Sequence, residues 1–295
     1  MNNKTWTILQ LLNRTSQYFN EKGIENPRLD SEVLLAHSLK TSRLNLYLNY
    51  DKPVLKNELK EYRELIKRRI RREPLQYITG HQEFWSLNLK VNEGVLIPRP
   101  ETEILVEEAL KTFFQNEPFY QLINILELGT GSGAIAIALA KELRRVMIVA
   151  TDISDVAVKT AKENASLHGV EENITFLQGS LFKPVSERTG AFSLVISNPP
   201  YIPIESFKDL QPEVRDFEPR VALNGGQEGL KFYRKILSQA GRYLAKDGWL
   251  MMELGEGQAE KVTRLIELTG EFSSSYIVKD FSGIERVVKA QKKVT

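Results

Sequence analysis

Residues 123–143 read INILELGTGSGAIAIALAKEL. The short apolar run Ile123–Leu128 is typical of a buried β-strand, and the alanine-rich run 134–143 predicts a helix. Between them lies a loop whose alternate glycines let the backbone turn sharply and approach a ligand closely: Gly129, Thr130, Gly131, Ser132 and Gly133. A strand that passes through a glycine loop directly into a helix predicts the first unit of a parallel sheet.

The alternation of strands and helices continues towards the end of the chain. Apolar runs predict strands near residues 146–151, 174–177, 192–196 and 249–254, and helical patterns occupy 156–168, 229–244 and 258–268. Two closing strands near 276–279 and 285–290 are candidates for an antiparallel edge. The predicted fold is therefore α/β, with a Rossmann-like sheet in a domain that spans residues 99–295.

The first part of the chain has a different pattern. Apolar residues recur at helical spacing in three segments of residues 1–75, which predicts a small helical bundle. Asp30 is a candidate cap for the second helix, and the third is expected from about Leu55 to Arg72. Its basic end, 67–72, is either a solvated helix end or a docking patch for an acidic protein or RNA. Residues 76–98 predict a β-hairpin linker, with strands at 77–80 and 85–91.

Composition excludes several classes of function. The absence of cysteine rules out disulfides and thiolate chemistry, and the three histidines have no spaced partner that would indicate a metal site. No apolar run is long enough to cross a membrane, and the start has no targeting pattern. Residues 1–80 carry six surplus positive charges and the remainder four surplus negative ones. These features predict a cytoplasmic enzyme without a resident metal.

The glycine loop and a later acid predict a site for a nucleoside-containing cofactor. Asp152 follows the next predicted strand, where a carboxylate can bind the two hydroxyls of a ribose. The loop fits either a nicotinamide dinucleotide fingerprint or the acid-led loop of S-adenosylmethionine (SAM) methyltransferases. Glu127, two residues before the first glycine, suits the cationic methionine end of SAM and would sit poorly beside a pyrophosphate. The second interpretation is therefore favoured.

A second motif, Asn198-Pro199-Pro200-Tyr201, follows the predicted strand 192–196. Two prolines cannot donate to a sheet ladder, so they end the strand in a stiff turn. The Asn198 carboxamide oxygen and the Pro199 carbonyl can both accept hydrogen bonds from one NH2 group, and Tyr201 can cover its flat face. Such acceptors stabilise the positive charge that grows on a nitrogen as it attacks an electrophile.

Longer strings give these motifs a family context. The chain resembles the release factor glutamine methyltransferases of the bacterial HemK/PrmC type, which are class I SAM-dependent enzymes. The resemblance covers nearly the whole chain, and its strings are residues 72–80, 83–85, 97–103, 198–203, 212–220 and 283–288. It implies a class I methyltransferase sheet preceded by a helical domain that helps to dock the release factor.

The resemblance also implies a substrate and a set of site residues. The substrate is the glutamine of the Gly-Gly-Gln motif in class 1 peptide chain release factors, methylated on its side-chain nitrogen. Residues 198–201 are implied to bind that glutamine, with Asn198 and Pro199 catalytic and Asn198 also next to the cofactor. Residues 129–133, Asp152 and the backbone of Leu181 are implied to bind SAM. Ser180 stands where the family often has an acid, so the adenine contact there lacks a charge.

Other functions remain open at this point. The alternatives are glutamine methylation of a ribosomal protein, adenine-N6 methylation of nucleic acid, and a non-catalytic module that senses SAM or binds RNA. The negative balance after residue 80 argues against a nucleic acid substrate, which needs a broad basic face. We expect a monomer that requires neither nucleic acid nor a membrane.

Overall fold

In a computed structural model of the chain, residues 6–116 and 122–294 are described, apart from the side chains of residues 115 and 116. Their contacts form two compact units, Met1–Gly80 with Pro212–Phe217 and His81–Gln211 with Glu218–Thr295. No helix within the described ranges is long and apolar enough to cross a membrane. The division into 1–75, 76–98 and 99–295 stays a prediction, because contacts alone do not define domains.

The first unit is helical, as the apolar spacing predicts. Its helices are α1 (Ile8–Glu21), α2 (Pro27–Ser38), α3 (Arg43–Leu48), α4 (Lys56–Ile70) and α5 (Leu75–Thr79). The expectation that Asp30 caps the second helix is wrong. A proline suits the first position of a helix, so α2 begins at Pro27. Asp30 instead lies buried inside the unit, where it accepts a hydrogen bond of 2.6 Å from Arg69 Nε.

The basic end of α4 is largely engaged within this unit. Arg69 Nη1 lies 2.9 Å from Glu213 Oε1, and Arg72 Nη1 lies 3.4 Å from the same atom. Glu213 belongs to α9 (Pro212–Phe217), a short helix from the later part of the chain. Arg72 also donates to the carbonyls of Lys22 and Gly23. These contacts favour the structural interpretation of the basic run over a free docking patch.

The predicted hairpin is present but displaced along the chain. Its strands are β1 (His81–Phe84) and β2 (Leu87–Lys90), which pair antiparallel around Trp85 and Ser86. Both turn residues have positive φ, at 53° and 57°, as a two-residue hairpin turn requires. The expected strand at 77–80 is wrong: Pro74 starts the short helix α5, and Gly80 ends it with φ of 80°.

The second unit contains a seven-stranded sheet in the order β5-β4-β3-β6-β7-β9-β8. Its strands are β3 (Ile123–Leu128), β4 (Val146–Asp152), β5 (Ile174–Gln178), β6 (Phe192–Ser197), β7 (Leu244–Glu253), β8 (Phe272–Lys279) and β9 (Glu285–Lys292). The helices of this unit are α6 (Glu103–Asn116), α7 (Ala134–Glu142), α8 (Asp155–Leu167), α10 (Arg220–Leu223), α11 (Lys231–Tyr243) and α12 (Ala259–Thr269). Strands β3 to β7 are parallel, and the two closing strands pair antiparallel as expected, with β9 between β7 and β8.

The strand order places two chain crossovers at one point of the sheet. Strand β3 has β4 on one side and β6 on the other, so the order reverses there. Leu128 pairs with Ser197, and Ser197 Oγ donates a 2.7 Å hydrogen bond to the Leu128 carbonyl. The loops that follow β3 and β6 therefore leave the sheet side by side, at the switch point where open α/β sheets bind ligands.

Candidate active site

The glycine loop after β3 is held tightly against the next strand. Gly129 N and Thr130 N both donate to the Thr151 carbonyl, at 2.8 and 3.1 Å. Gly129 and Gly131 have φ of +77° and +56°, and a Cβ on either would meet no atom within 4 Å. The backbone here borders open space, so a ligand can approach it closely.

Gly133 has a different role in the same loop. Its φ is +86°, and a Cβ there would come within 3.0 Å of Ile137 and 3.1 Å of Ala161. The absence of a side chain therefore lets α7 and α8 pack closely at the end of the loop.

The Asp152 carboxylate ends β4 and links two backbone segments. Oδ2 accepts from Gly131 N and Oδ1 from Ser154 N, both at 2.9 Å. Burial raises the pKa of this carboxyl, although these backbone hydrogen bonds oppose the shift. A carboxylate offers about four acceptor positions. Two therefore remain for a pair of hydroxyl groups, which is the number a ribose provides.

Glu127, just before the glycine loop, is a buried acid with one oxygen unpaired among the described residues. It is 1% exposed, and Thr130 Oγ1 donates a 2.7 Å hydrogen bond to Oε2. Within the described part of the chain, Oε1 is the buried side-chain atom that has no hydrogen-bond partner. Burial raises the pKa of the Glu127 carboxyl to about 8. An unpaired buried acceptor is costly unless a ligand supplies the missing donor.

The motif after β6 presents its asparagine in a fixed orientation. Asn198 Nδ2 donates to Thr102 Oγ1 at 3.1 Å, and among the described residues no protein group donates to Oδ1. Thr102 Oγ1 in turn donates to Glu253 Oε2 at 2.6 Å. The free polar atom of the carboxamide is thus its oxygen, which is an acceptor for an NH2 group.

Tyr201 is anchored by both its backbone and its side chain. Its carbonyl accepts from Gln258 Nε2 at 3.0 Å, and its hydroxyl donates to Glu253 Oε1 at 3.2 Å. A Cβ on Gly229 would lie only 2.3 Å from the Tyr201 carbonyl oxygen, so glycine is needed there. Burial, with a further contribution from Glu253, raises the pKa of the Tyr201 phenol. The turn is consequently rigid.

One cavity joins the two halves of the site. Its lining includes nearly all the residues that the sequence singles out: Gly129, Thr130, Gly131, Ser132, Asp152, Leu181, Asn198, Pro199 and Pro200. Glu127, Gly133 and Tyr201 do not belong to this lining, and their binding roles stay predictions. Ser180 also lines the cavity, beside Leu181.

Sequence reasoning missed a group of residues on the same cavity. Pro98, Arg99 and Thr102 line it, although the sequence indicates only a stiff connector there. Arg99 forms an ion pair with the buried Glu218. Glu253, which the sequence analysis also missed, ends β7 beside the Asn-Pro-Pro-Tyr turn. The sequence signal that could have identified it is a lone acid at the end of an apolar strand.

Comparison with known proteins places the chain in a family. A family model for the PrmC N-terminal domain matches residues 10–80, and one for a methyltransferase domain matches residues 121–293. A release factor glutamine methyltransferase of Geobacter sulfurreducens is 47% identical over 283 residues, which cover 96% of each chain. The chain belongs to the release factor glutamine methyltransferase family.

Further similarities agree with this family and its fold. A release factor glutamine methyltransferase of Rhodopirellula baltica is 38% identical over 291 residues, covering 99% of this chain and 98% of the relative. The crystal structure of the N-terminal domain of human METTL16 in complex with SAH has a TM-score of 0.51 and 17% identity. It covers 70% of this chain and 76% of that one. This last likeness concerns the fold alone, and the predicted class I methyltransferase fold is confirmed.

The family is SAM-dependent, and the residues at this edge of the sheet fit that methyl donor. The unpartnered Oε1 of Glu127 is suited to a cationic amino group. Gly129 and Gly131 leave the loop backbone open to a ligand. Asp152 keeps acceptor positions for ribose hydroxyls.

Proposed function

We propose that this chain methylates the glutamine of the Gly-Gly-Gln motif in class 1 peptide chain release factors, on the side-chain amide nitrogen, with SAM as methyl donor. One observation carries the proposal. The Asn198 carboxamide shares a cavity with the glycine loop, and Thr102 holds its NH2 group so that its oxygen is free.

The chain's own part in the reaction is to bind and polarise an amide. Asn198 Oδ1 and the Pro199 carbonyl accept the two N–H groups of the substrate glutamine. Both acceptors lie in a turn whose backbone is fixed by Gln258 and Gly229. They draw the nitrogen lone pair out of conjugation and stabilise the positive charge that develops on the nitrogen. Positioning and charge stabilisation of this kind account for the acceleration without a side-chain base.

The cofactor half of the cavity binds and orients the methyl donor. We assign the ammonium contact to Glu127, the ribose to Asp152, and the close backbone contacts to residues 129–133 and Leu181. When bound, SAM would supply a sulfonium methyl for the glutamine nitrogen, with its thioether as the leaving group, and the surplus proton on that nitrogen would pass to water.

Charge and family favour a protein substrate. The two neutral acceptors suit the planar NH2 group of an amide or of a base, but the surplus of negative charge after residue 80 opposes a nucleic acid, and the relatives are named release factor glutamine methyltransferases. The helical unit is proposed to help dock the release factor. The chain is further proposed to act as a monomer in the cytoplasm, where its substrate functions, without direct need of nucleic acid.

A labelling experiment tests this function. The full chain is incubated with methyl-labelled SAM and a purified release factor, an intact ribosome or DNA, and mass spectrometry then analyses the tryptic peptides of the proteins and the nucleosides of the digested DNA. We expect label on the Gly-Gly-Gln glutamine, and label formed at least about 100-fold more slowly when the chain carries Asn198→Ala. Label confined to ribosomal protein or to DNA would overturn the proposed substrate, and no label in any sample would overturn the enzymatic role.

A further inference from the structure

A buried acid and a hydroxyl lie directly behind the proposed catalytic asparagine. Glu253 is 2% exposed, and its Oε2 is 2.6 Å from Thr102 Oγ1. Thr102 is 4% exposed, and its Oγ1 is 3.1 Å from Asn198 Nδ2. The three side chains therefore form a continuous hydrogen-bonded series that ends at the cavity.

The donors and acceptors of this series can be assigned from proton counting. An ionised carboxylate only accepts, so the single Thr102 hydroxyl proton must point to Glu253. The Thr102 oxygen can then only accept from Asn198, which requires the NH2 group of the carboxamide to face Thr102. The carboxamide oxygen is left free on the other side.

We propose that Glu253 and Thr102 are positioning residues that decide which end of the Asn198 carboxamide meets the substrate amide. This inference rests on the proposed function, in which Asn198 must accept from an NH2 group. A carboxamide rotated by half a turn would present its own NH2 to the NH2 of the substrate, and two donors cannot bond.

The hydrogen bonds that Glu253 accepts stabilise its ionised form. Tyr201 donates to its second oxygen at 3.2 Å, so both carboxylate oxygens are engaged. Tyr233 Oη donates to the Glu253 backbone carbonyl at 2.9 Å, which fixes the end of β7. Burying a carboxylate is costly, and a neutral side chain would fill the same space at lower cost. A role in setting hydrogen-bond direction explains why an acid is there.

Protonation of Glu253 would reverse the series. Burial raises its pKa to about 7, nearby Glu101 adds to the shift, and Arg286 and the hydroxyls of Thr102 and Tyr201 oppose it. Protonated Glu253 can donate to Thr102, whose proton then points to Asn198 and favours the rotated carboxamide. Turnover at saturating SAM and release factor should therefore fall as the pH drops below about 7.

Substitutions at Thr102 separate hydrogen bonding from packing. Thr102→Val keeps the shape and removes the hydroxyl, and we expect kcat to fall by about 10–100-fold, as for loss of a residue that orients an active group. The dissociation constant for SAM should stay within about twofold. Thr102→Ser restores the hydroxyl and should recover most of the lost turnover. Thr175→Val, on the exposed face of β5, is the matched control.

Two outcomes would overturn the inference. Thr102→Val could turn over like the wild type, or Thr102→Ser could lose as much as Thr102→Val, which would assign the effect to packing. The pH dependence of kcat is a further test of the inference. The acid limb of kcat should be present in the wild type and absent in Glu253→Gln, and a wild-type kcat that is constant from pH 6 to 8 would contradict the series.

A readout without turnover keeps this inference distinct from the proposed substrate. In the 15N-labelled full chain, the side-chain NH2 signals of Asn198, assigned by their loss in Asn198→Ala, should shift with a midpoint near pH 7. These signals should not shift with pH in Glu253→Gln. Wild-type signals whose chemical shifts do not depend on pH would overturn the inference. If they titrate but the release factor is not methylated, the proposed substrate is wrong and the orienting series stands.

Discussion

Glu127 and Glu253 are two buried acids at the same edge of one sheet, and they are paired very differently. Both are at most 2% exposed. Burial raises the pKa of Glu127 to about 8 and that of Glu253 to about 7. Glu127 has one oxygen without a partner, whereas both oxygens of Glu253 accept hydroxyl hydrogen bonds.

The difference between these acids indicates two kinds of function for one residue type. A buried acid with a missing donor is suited to bind a cation, because the ligand repays the cost of desolvation. A buried acid whose acceptors are occupied can only orient its neighbours. Glu127 thus keeps an acceptor for a ligand, whereas the Asn198 carboxamide is oriented by the hydrogen bonds of Thr102 and Glu253.

The largest predicted effect concerns the substrate half of the cavity alone. Asn198→Ala removes one acceptor from the developing positive charge, and turnover should fall by about 10²–10³-fold, as for loss of one oxyanion-hole donor. Single-turnover kinetics with saturating SAM measure this loss. The dissociation constant for SAM should change by no more than a few-fold; a variant with near-normal turnover would remove Asn198 from catalysis.

The next largest predicted effect is a loss of SAM affinity in the cofactor half. Asp152→Ala removes the acceptor for the ribose and the partner of Gly131 N and Ser154 N. Because hydrogen bonds to a charged group contribute about 1.5–3 kcal/mol, SAM should bind about 10–100-fold more weakly. Isothermal titration calorimetry measures the change, with the exposed Asp155→Ala as control. Unchanged affinity would exclude a ribose contact.

Glu127→Gln should weaken SAM and stabilise the ligand-free chain. Loss of the charge is expected to cost about tenfold in SAM affinity, equal to about 1.4 kcal/mol. Unfolded glutamate titrates near pH 4.3, so between there and pH 8 the folded state binds more protons. The Glu127 contribution to stability therefore falls as pH rises.

Removing that charge should raise the free energy of unfolding at pH 8 by about 1 kcal/mol. Urea denaturation without SAM measures this change, and Glu171→Gln on the surface is the control. A variant that is both less stable and unaltered in SAM binding would contradict the contrast between the two acids.

The smallest predicted effect is a gain of SAM affinity in the cofactor half. Ser180 lines the cavity next to Leu181, at a position where the resemblance to the family implies that an acid is common. Ser180→Asp would offer a charged acceptor to the adenine amino group, and charged hydrogen bonds are about twice as strong as neutral ones. SAM affinity should rise about threefold by calorimetry. Weaker binding would place the adenine elsewhere.

Local sequence predicts the sheet well because each strand carries its own signal. The apolar run 192–196 and the two prolines after it correctly locate the end of β6. The strand expected at 77–80 is wrong because Pro74 and Gly80 bound a short helix, whose context overrides the β-propensity of tyrosine and isoleucine.

The orienting acid could not be predicted from local sequence. Glu253 meets Thr102 across 151 positions of the chain and Tyr201 across 52. A single acid at the end of an apolar strand does not reveal which hydroxyls will face it. The sheet order brings β7 beside β6 and so Glu253 beside Tyr201, while Thr102 comes from the turn Pro100–Thr102 before α6, a helix that packs against β7.

A high-resolution crystal structure of the full chain with SAH and a Gly-Gly-Gln peptide tests the central claim most directly. We predict that the glutamine Nε2 lies about 2.7–3.2 Å from both Asn198 Oδ1 and the Pro199 carbonyl oxygen, with Asn198 Nδ2 still bonded to Thr102. A glutamine bound away from these two acceptors, or facing Asn198 Nδ2, would contradict the account.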